Sequence, residues 1–114
     1  MEMTRERFEE LVSQALDEVP EQFAPAFDEV AVVVEEYAPP GPGALFGLYQ
    51  GVPRTYGDRS GHLPPHISIY MDTLVRHFGH DERELVRQVR ITVLHELGHH
   101  LGMDEDQLER LGYA

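Results

Sequence analysis

The sequence predicts an α+β fold, on three observations. Apolar residues recur at three- and four-residue steps near the start of the chain and again over a long stretch near its end. Three short runs with strand character lie between those two stretches. Proline- and glycine-rich connections separate the runs, so helices and strands occupy different parts of one chain instead of alternating regularly. With 114 residues, the chain is long enough to bury about two-thirds of its unfolded surface around one core. One domain spanning residues 1–114 is the expectation.

Thr4 can cap a first helix that runs to about Val19. Phe8, Leu11, Val12, Ala15, Leu16 and Val19 make one apolar stripe, with acidic residues opposite. Pro20 and Pro25 flank a short connection. Val30 to Val34 is a continuous β-branched run between acidic pairs, the pattern of a strand covered on both faces. The connector Ala38-Pro39-Pro40-Gly41-Pro42-Gly43 can be neither helix nor inner strand. Leu45 to Tyr49 reads as a second strand, with Gly47 inside it where another backbone can approach closely. A turn-rich loop from Gly51 to Pro65 follows, then His66 to Tyr70 alternates as a third strand. A short helix over Asp72 to Phe78 ends near Gly79, and Asp81 with Glu84 opens a long helix through a capping-box-like start.

On that long helix Val86, Val89, Val93, Leu97 and Leu101 fall on one side, and Gln88, His95 and His99 on the other. Ile91 and Leu94 fill the flanks, so the helix is apolar around most of its circumference and belongs in the middle of the domain. His95 and His99 then line a cleft. His100 projects towards Val89 and Val93 and reads as a hydrogen-bonded core residue or a prop for its neighbours.

Composition excludes several classes. A formal net charge of −12 disfavours nucleic acid, whose phosphates require a basic face, and disfavours anionic membrane surfaces. No stretch has the apolar length of a membrane span, and the first residues lack the order of a secretory signal, so a cytoplasmic location is expected. There are no cysteines, hence no disulfide framework and no thiolate metal site. Any metal must be held by His, Asp or Glu.

The chemistry is concentrated in Val93-Leu94-His95-Glu96-Leu97-Gly98-His99-His100-Leu101-Gly102-Met103-Asp104-Glu105. Residues i and i+4 of a helix project from one face, so His95 and His99 can grip a single ion. Glu96 points about 100° round the helix, past the ion but beside the water that the ion would activate, where a general base belongs. Gly102 can take the left-handed conformation that ends a helix and returns the chain towards its last turn. A carboxylate just beyond could then complete the site: Glu105 by position, with Asp106 and Asp104 as open alternatives. Two imidazoles and a carboxylate suit Zn²⁺, and the same set could hold Fe²⁺ or Mn²⁺. Together these features read as a zinc hydrolase.

These residues resemble the zincin metallopeptidases, whose active-site helix carries His-Glu-x-x-His and, in one branch, extends through a glycine to a third ligand. His95, Glu96, His99 and Gly102 match position by position, and Glu105 stands in the third-ligand slot. The whole chain is similar to a family of short bacterial zincin-like proteins through Leu45 to Pro53, His66 to Tyr70 and the helix motif. The resemblance implies a small mixed sheet packed on a backing helix and a central active-site helix, with an edge strand along a substrate cleft. It also implies a peptide or protein substrate, held by strand addition on Leu45 to Tyr49. Glu105 departs from the His or Asp of the extended motif. The nine residues after Glu105 contain no Met, so the methionine turn that floors some zincin sites cannot come from them. Tyr113 is the candidate to replace it, its ring below the histidines and its hydroxyl on a ligand or oxyanion.

Two functions compete on this reading: a minimal metallopeptidase with Glu96 as base, and a catalytically silent zincin-fold domain for metal binding or protein interaction. The intact Glu96 favours the first, and the small size favours the second. A ribosomal-RNA-maturation endonuclease does not fit the acidic chain or the glutamate after the first histidine, and peptide deformylase needs a cysteine. Arg54 and Arg59 could meet a substrate carboxylate, although salt bridges are the commoner fate of such residues. An exposed strand edge leaves a homodimer open.

Overall fold

A computed structural model describes residues 3–51 and 64–113. Arg54, Arg59, His62 and most of the Gly51 to Pro65 loop lie outside the described residues.

Helix α1 spans Arg5–Asp17, its first turn capped by the Thr4 hydroxyl, which accepts the Arg7 N–H at 3.0 Å. It stops two residues before Val19, because Pro20 disfavours helical backbone at the residue before it. Phe8, Leu11, Val12 and Ala15 form its buried stripe, and each large apolar side chain so buried contributes about 1.5–3 kcal/mol. The Pro20–Pro25 connection is itself a short 3₁₀ helix over Glu21–Asp28.

Strands β1 (Ala31–Glu35), β2 (Gly47–Gln50) and β3 (His66–Tyr70) form a mixed sheet in the order β1-β3-β2. β3 is central, parallel to β1 and antiparallel to β2. Helices α2 (Met71–Phe78), α3 (Glu82–His100) and α4 (Glu105–Leu111) follow. α3 packs against α1 on one side and against β2, β3 and α2 on others, so it is the central element. The expected α+β fold, with its mixed sheet, backing helix and buried site helix, is the observed one.

Three local expectations change. The valine run at β1 is an edge strand, not one covered on both faces: Val32 and Val34 pack against the core while Val33 remains 41 % exposed. Gly47 does meet a close neighbour, but a side chain as well as a backbone. A Cβ there would stand 2.6 Å from the Thr92 methyl on α3 and 3.0 Å from the Ser68 carbonyl on β3. The start of α3 forms half of a capping box: Asp81 accepts the N–H groups of Arg83 and Glu84, while the Glu84 side chain turns to Arg87 and Gln88.

Beyond Gly102 the chain does more than turn back. Gly102 adopts φ +83°, Met103 N–H bonds the Gly98 carbonyl at 2.8 Å, and Gly102 N–H bonds that of His99 at 3.0 Å. These paired bonds close a Schellman motif at the end of α3. Asp104 then caps α4 in a reciprocal box with Gln107. A second turn of the same kind follows at Gly112, φ +85°, with Tyr113 N–H on the Leu108 carbonyl at 2.9 Å. Among the described residues, no helix is long and apolar enough to cross a membrane.

Candidate metal centre

His95 and His99 lie one turn apart on the face of α3 left open by the core, their rings 5.0 Å apart and nearly perpendicular. The turn at Gly102 carries Glu105 back over them. Its Oε1 lies 3.1 Å from His99 Nε2 and 3.4 Å from His95 Nε2. Three donors each 2.0–2.2 Å from a tetrahedral ion would stand about 3.3–3.6 Å from one another, so this spacing fits zinc with little movement. The other imidazole nitrogen of His95, Nδ1, is 2.7 Å from the Tyr113 carbonyl. A proton held there leaves Nε2 with its lone pair facing the site, which is how metal-ligating histidines are usually oriented.

Glu96 forms the second part of the site. His95, Glu96 and His99 present atoms within 4.8 Å of one another, so Glu96 could also join a bound ion. Glu105 nonetheless fits the ligand position better. Glu96 Oε2 stays 3.9 Å from His95 Nε2, while its Oε1 accepts the main-chain N–H of Tyr49 at 2.8 Å. Burial raises the affinity of the Glu96 carboxylate for a proton, and the Glu105 charge adds to this. The Tyr49 N–H and the two imidazoles oppose it, and the net shift is above the usual carboxylate range.

The remaining candidates separate clearly. Asp104 is engaged in capping α4, and the Asp106 side chain is exposed on its first turn. Tyr113 meets His95 through its carbonyl, and its ring stacks edge-on against Phe23 at 6.2 Å. The Gly112 turn brings the Tyr113 main-chain carbonyl to His95. His100 is fully buried, with Nδ1 2.8 Å from the Tyr49 hydroxyl and Nε2 3.4 Å from Glu29. His66 bonds Gln50, and His77 bonds the Thr73 carbonyl.

β2 runs beside Glu96 with one edge free of β3. Tyr70 N–H bonds the Phe46 carbonyl, so by antiparallel alternation the main-chain groups of Gly47 and Tyr49 face outward. The Tyr49 N–H that reaches Glu96 is one of them. Next to this edge is a cleft of about 270 Å³ whose wall includes Phe46, Gly47, Ile91, Thr92, His95 and Glu96, with Tyr113 at its rim. A larger apolar groove of about 400 Å³ runs along β1 past Leu16, Phe27 and Val30, and among the described residues no ionisable side chain lines it. The chemistry belongs to the smaller cleft.

Sequence reading missed Tyr49, Glu29 and the Tyr113 carbonyl. Two of the groups concerned are main-chain atoms, which leave no trace in residue type. Helix α4 did leave one, in the Asp104-x-x-Gln107 cap ahead of Leu108 and Leu111.

The chain is similar over 94 % of its length, and 99 % of the other chain, to the solved structure of a conserved hypothetical protein from T. thermophilus, at 32 % identity and a TM-score of 0.61. None of the curated proteins matches it. The family model described as zincin-like metallopeptidase matches residues 27–113, which hold the sheet, the site helix and the returning carboxylate. This chain belongs to the zincin-like metallopeptidase family.

Proposed function

We propose that this protein is a zinc-dependent peptidase in which His95, His99 and Glu105 hold the metal and Glu96 is the general base. The observation that carries the reading is the convergence of one carboxylate oxygen on two Nε2 atoms at 3.1–3.4 Å, with a second, half-buried carboxylate set back from them. Zinc bound by this set would polarise a carbonyl oxygen and lower the pKa of a water to about 7.

The protein's own groups account for the rest. Glu96 Oε2 faces the gap in front of His95, where it can take the proton of an attacking water and return it to the leaving amine nitrogen. Its raised proton affinity suits that exchange better than that of an ordinary exposed glutamate would. The Tyr113 carbonyl holds the His95 ring in one tautomer. The outward Gly47 groups can pair with an extended peptide, and the adjacent cleft can take one of its side chains. A substrate of this kind is a peptide or an unfolded protein segment, bound in extended form.

The test uses purified protein, a mixed peptide library, and zinc or a chelator. Wild type should cleave with zinc and not with chelator. Glu96→Gln should keep one zinc per chain and lose about 10²–10⁴ of the rate. His95→Ala and His99→Ala should each lose zinc by elemental analysis. A Glu96→Gln variant with wild-type turnover rules out the assigned base. A zinc-loaded wild type that cleaves nothing in the library would point to the non-catalytic reading.

A further inference from the structure

We infer that Tyr49 and His100 form a clamp that keeps Glu96 from becoming a metal ligand; this rests on the proposed metal site. Glu96 and His100 are four residues apart on α3, so they sit one turn apart on the same face. Tyr49 bonds both. Its main-chain N–H holds Glu96 Oε1 at 2.8 Å, and its hydroxyl meets His100 Nδ1 at 2.8 Å. His100 is held in turn, fully buried, with Nε2 3.4 Å from the Glu29 carboxylate just before β1. The two rings lie 5.5 Å apart at 57°.

The clamp answers a problem the motif creates. A glutamate next to a ligand histidine has an oxygen within reach of the same ion, and here the three residues fit inside 4.8 Å. A carboxylate that binds the ion occupies the position the water needs and is no longer a base. The Tyr49 N–H draws one Glu96 oxygen towards β2 and away from the imidazoles. Among the described residues, that donor sits on a four-residue edge strand paired with β3 alone. An edge strand alone fixes a donor poorly. Anchoring the same residue's phenol to α3 ties the strand to the helix at two points one turn apart. Tyr49, His100 and Glu29 are thus positioning residues, acting on Glu96 without touching substrate.

Loss of the clamp should tighten metal binding and slow turnover together. Tyr49→Phe keeps the N–H and the ring but loses the His100 anchor. The freed Glu96 should then reach the ion, so zinc binds more tightly while kcat falls by ~10–100-fold. The gain in affinity should vanish in Tyr49→Phe/Glu96→Gln, measured against Glu96→Gln alone by competition with a chromophoric chelator. The visible spectrum of the Co²⁺-loaded Tyr49→Phe protein should report an added oxygen ligand. A merely structural role predicts weaker zinc binding in both backgrounds and would overturn the clamp.

A second measurement needs neither metal nor turnover. In the metal-free protein the amide proton of residue 49 should move strongly upfield on Glu96→Gln in wild type, and little in the Tyr49→Phe background. Equal movement in both backgrounds refutes the clamp even if no peptide is ever cleaved. If burial of His100 without its Tyr49 partner unfolds Tyr49→Phe, His100→Leu should show the same pattern. His100→Asn, whose amide lies where Nδ1 does, should recover it.

Discussion

Glu96 is the residue on which the proposed site's two requirements conflict: it is half-buried, yet as the proposed base it must ionise. Its proton affinity is raised above the usual carboxylate range chiefly by burial. The folded protein therefore holds this proton more tightly than the unfolded chain does. Its effect on stability is most favourable below the ordinary carboxylate pKa and fades as pH rises through the raised one. Glu96→Gln removes the charge and keeps an oxygen for the Tyr49 N–H. The metal-free variant should then melt higher than wild type at pH 7–8, with no gain at pH 3, by calorimetric scans at both. Added zinc should shrink the difference, since a nearby cation favours the ionised form. The third ligand is the other question at this scale. Sequence alone left Glu105, Asp106 and Asp104 open, because the register after a turn cannot be read from residue types. Capping resolves part of it: Asp104→Ala should cost about 0.5–2 kcal/mol of stability with zinc stoichiometry intact. Glu105→Ala should instead raise the zinc Kd with little change in the metal-free midpoint, because its side chain is 66 % exposed. His95, Glu96 and His99 were legible in the sequence because their chemistry lies in the side chain. Tyr49 and Tyr113 were not, because what they offer Glu96 and His95 is backbone.

At the scale of elements, two glycine turns and one glycine contact bring the end of the chain over the histidines. Gly102 and Gly112 end α3 and α4 in left-handed conformations at φ +83° and +85°. Gly98 lies inside α3, where a Cβ would stand 2.2 Å from a methyl of the buried Leu108 on α4. Two effects oppose each other in Gly98→Ala. Alanine gains up to ~1 kcal/mol of helix propensity, while overpacking a buried contact typically costs ~1–3 kcal/mol. The second wins, and the relief is outward movement of α4, which carries Glu105. Gly98→Ala should therefore weaken zinc binding more than it lowers the midpoint of the metal-free protein. Gly102→Ala forces a Cβ into left-handed backbone and should destabilise the metal-free protein by about 1–2 kcal/mol. Urea unfolding with and without chelator separates the two. Gly102 was legible as a helix end, since glycine at that place has few other uses. The helix beyond it was not, because seven residues leave too short a period to recognise without their cap.

For the molecule as a whole, the sequence showed which elements exist better than how they pair. Helix α1, strand β3 and helix α3 were recognisable from period alone, and their apolar faces meet in the core. The valines of β1 were read as covered on both faces because a β-branched run looks the same in an inner strand and in an edge strand with one face on the core. What decides it is the number of strands, three among the described residues, and no local pattern encodes that number. The same limit applied to the site, whose donors come from the two ends of one turn, an edge strand and a main-chain carbonyl. Such a site exists only in the folded chain, so binding of the proposed metal would be linked to folding. Zinc at a hundred times its Kd should stabilise the fold by about 2.7 kcal/mol. For a domain near a hundred residues, each kcal/mol moves the midpoint by about 4–8 °C, so a rise on the order of 10–20 °C is expected. Excess EDTA should reverse it. Magnesium at equal concentration should not reproduce it, since imidazole is a poor ligand for that ion. His95→Ala should melt at the same temperature with zinc as without. Equal midpoints for wild type in zinc and in EDTA would mean that α3, α4 and the Gly112 turn converge for packing alone.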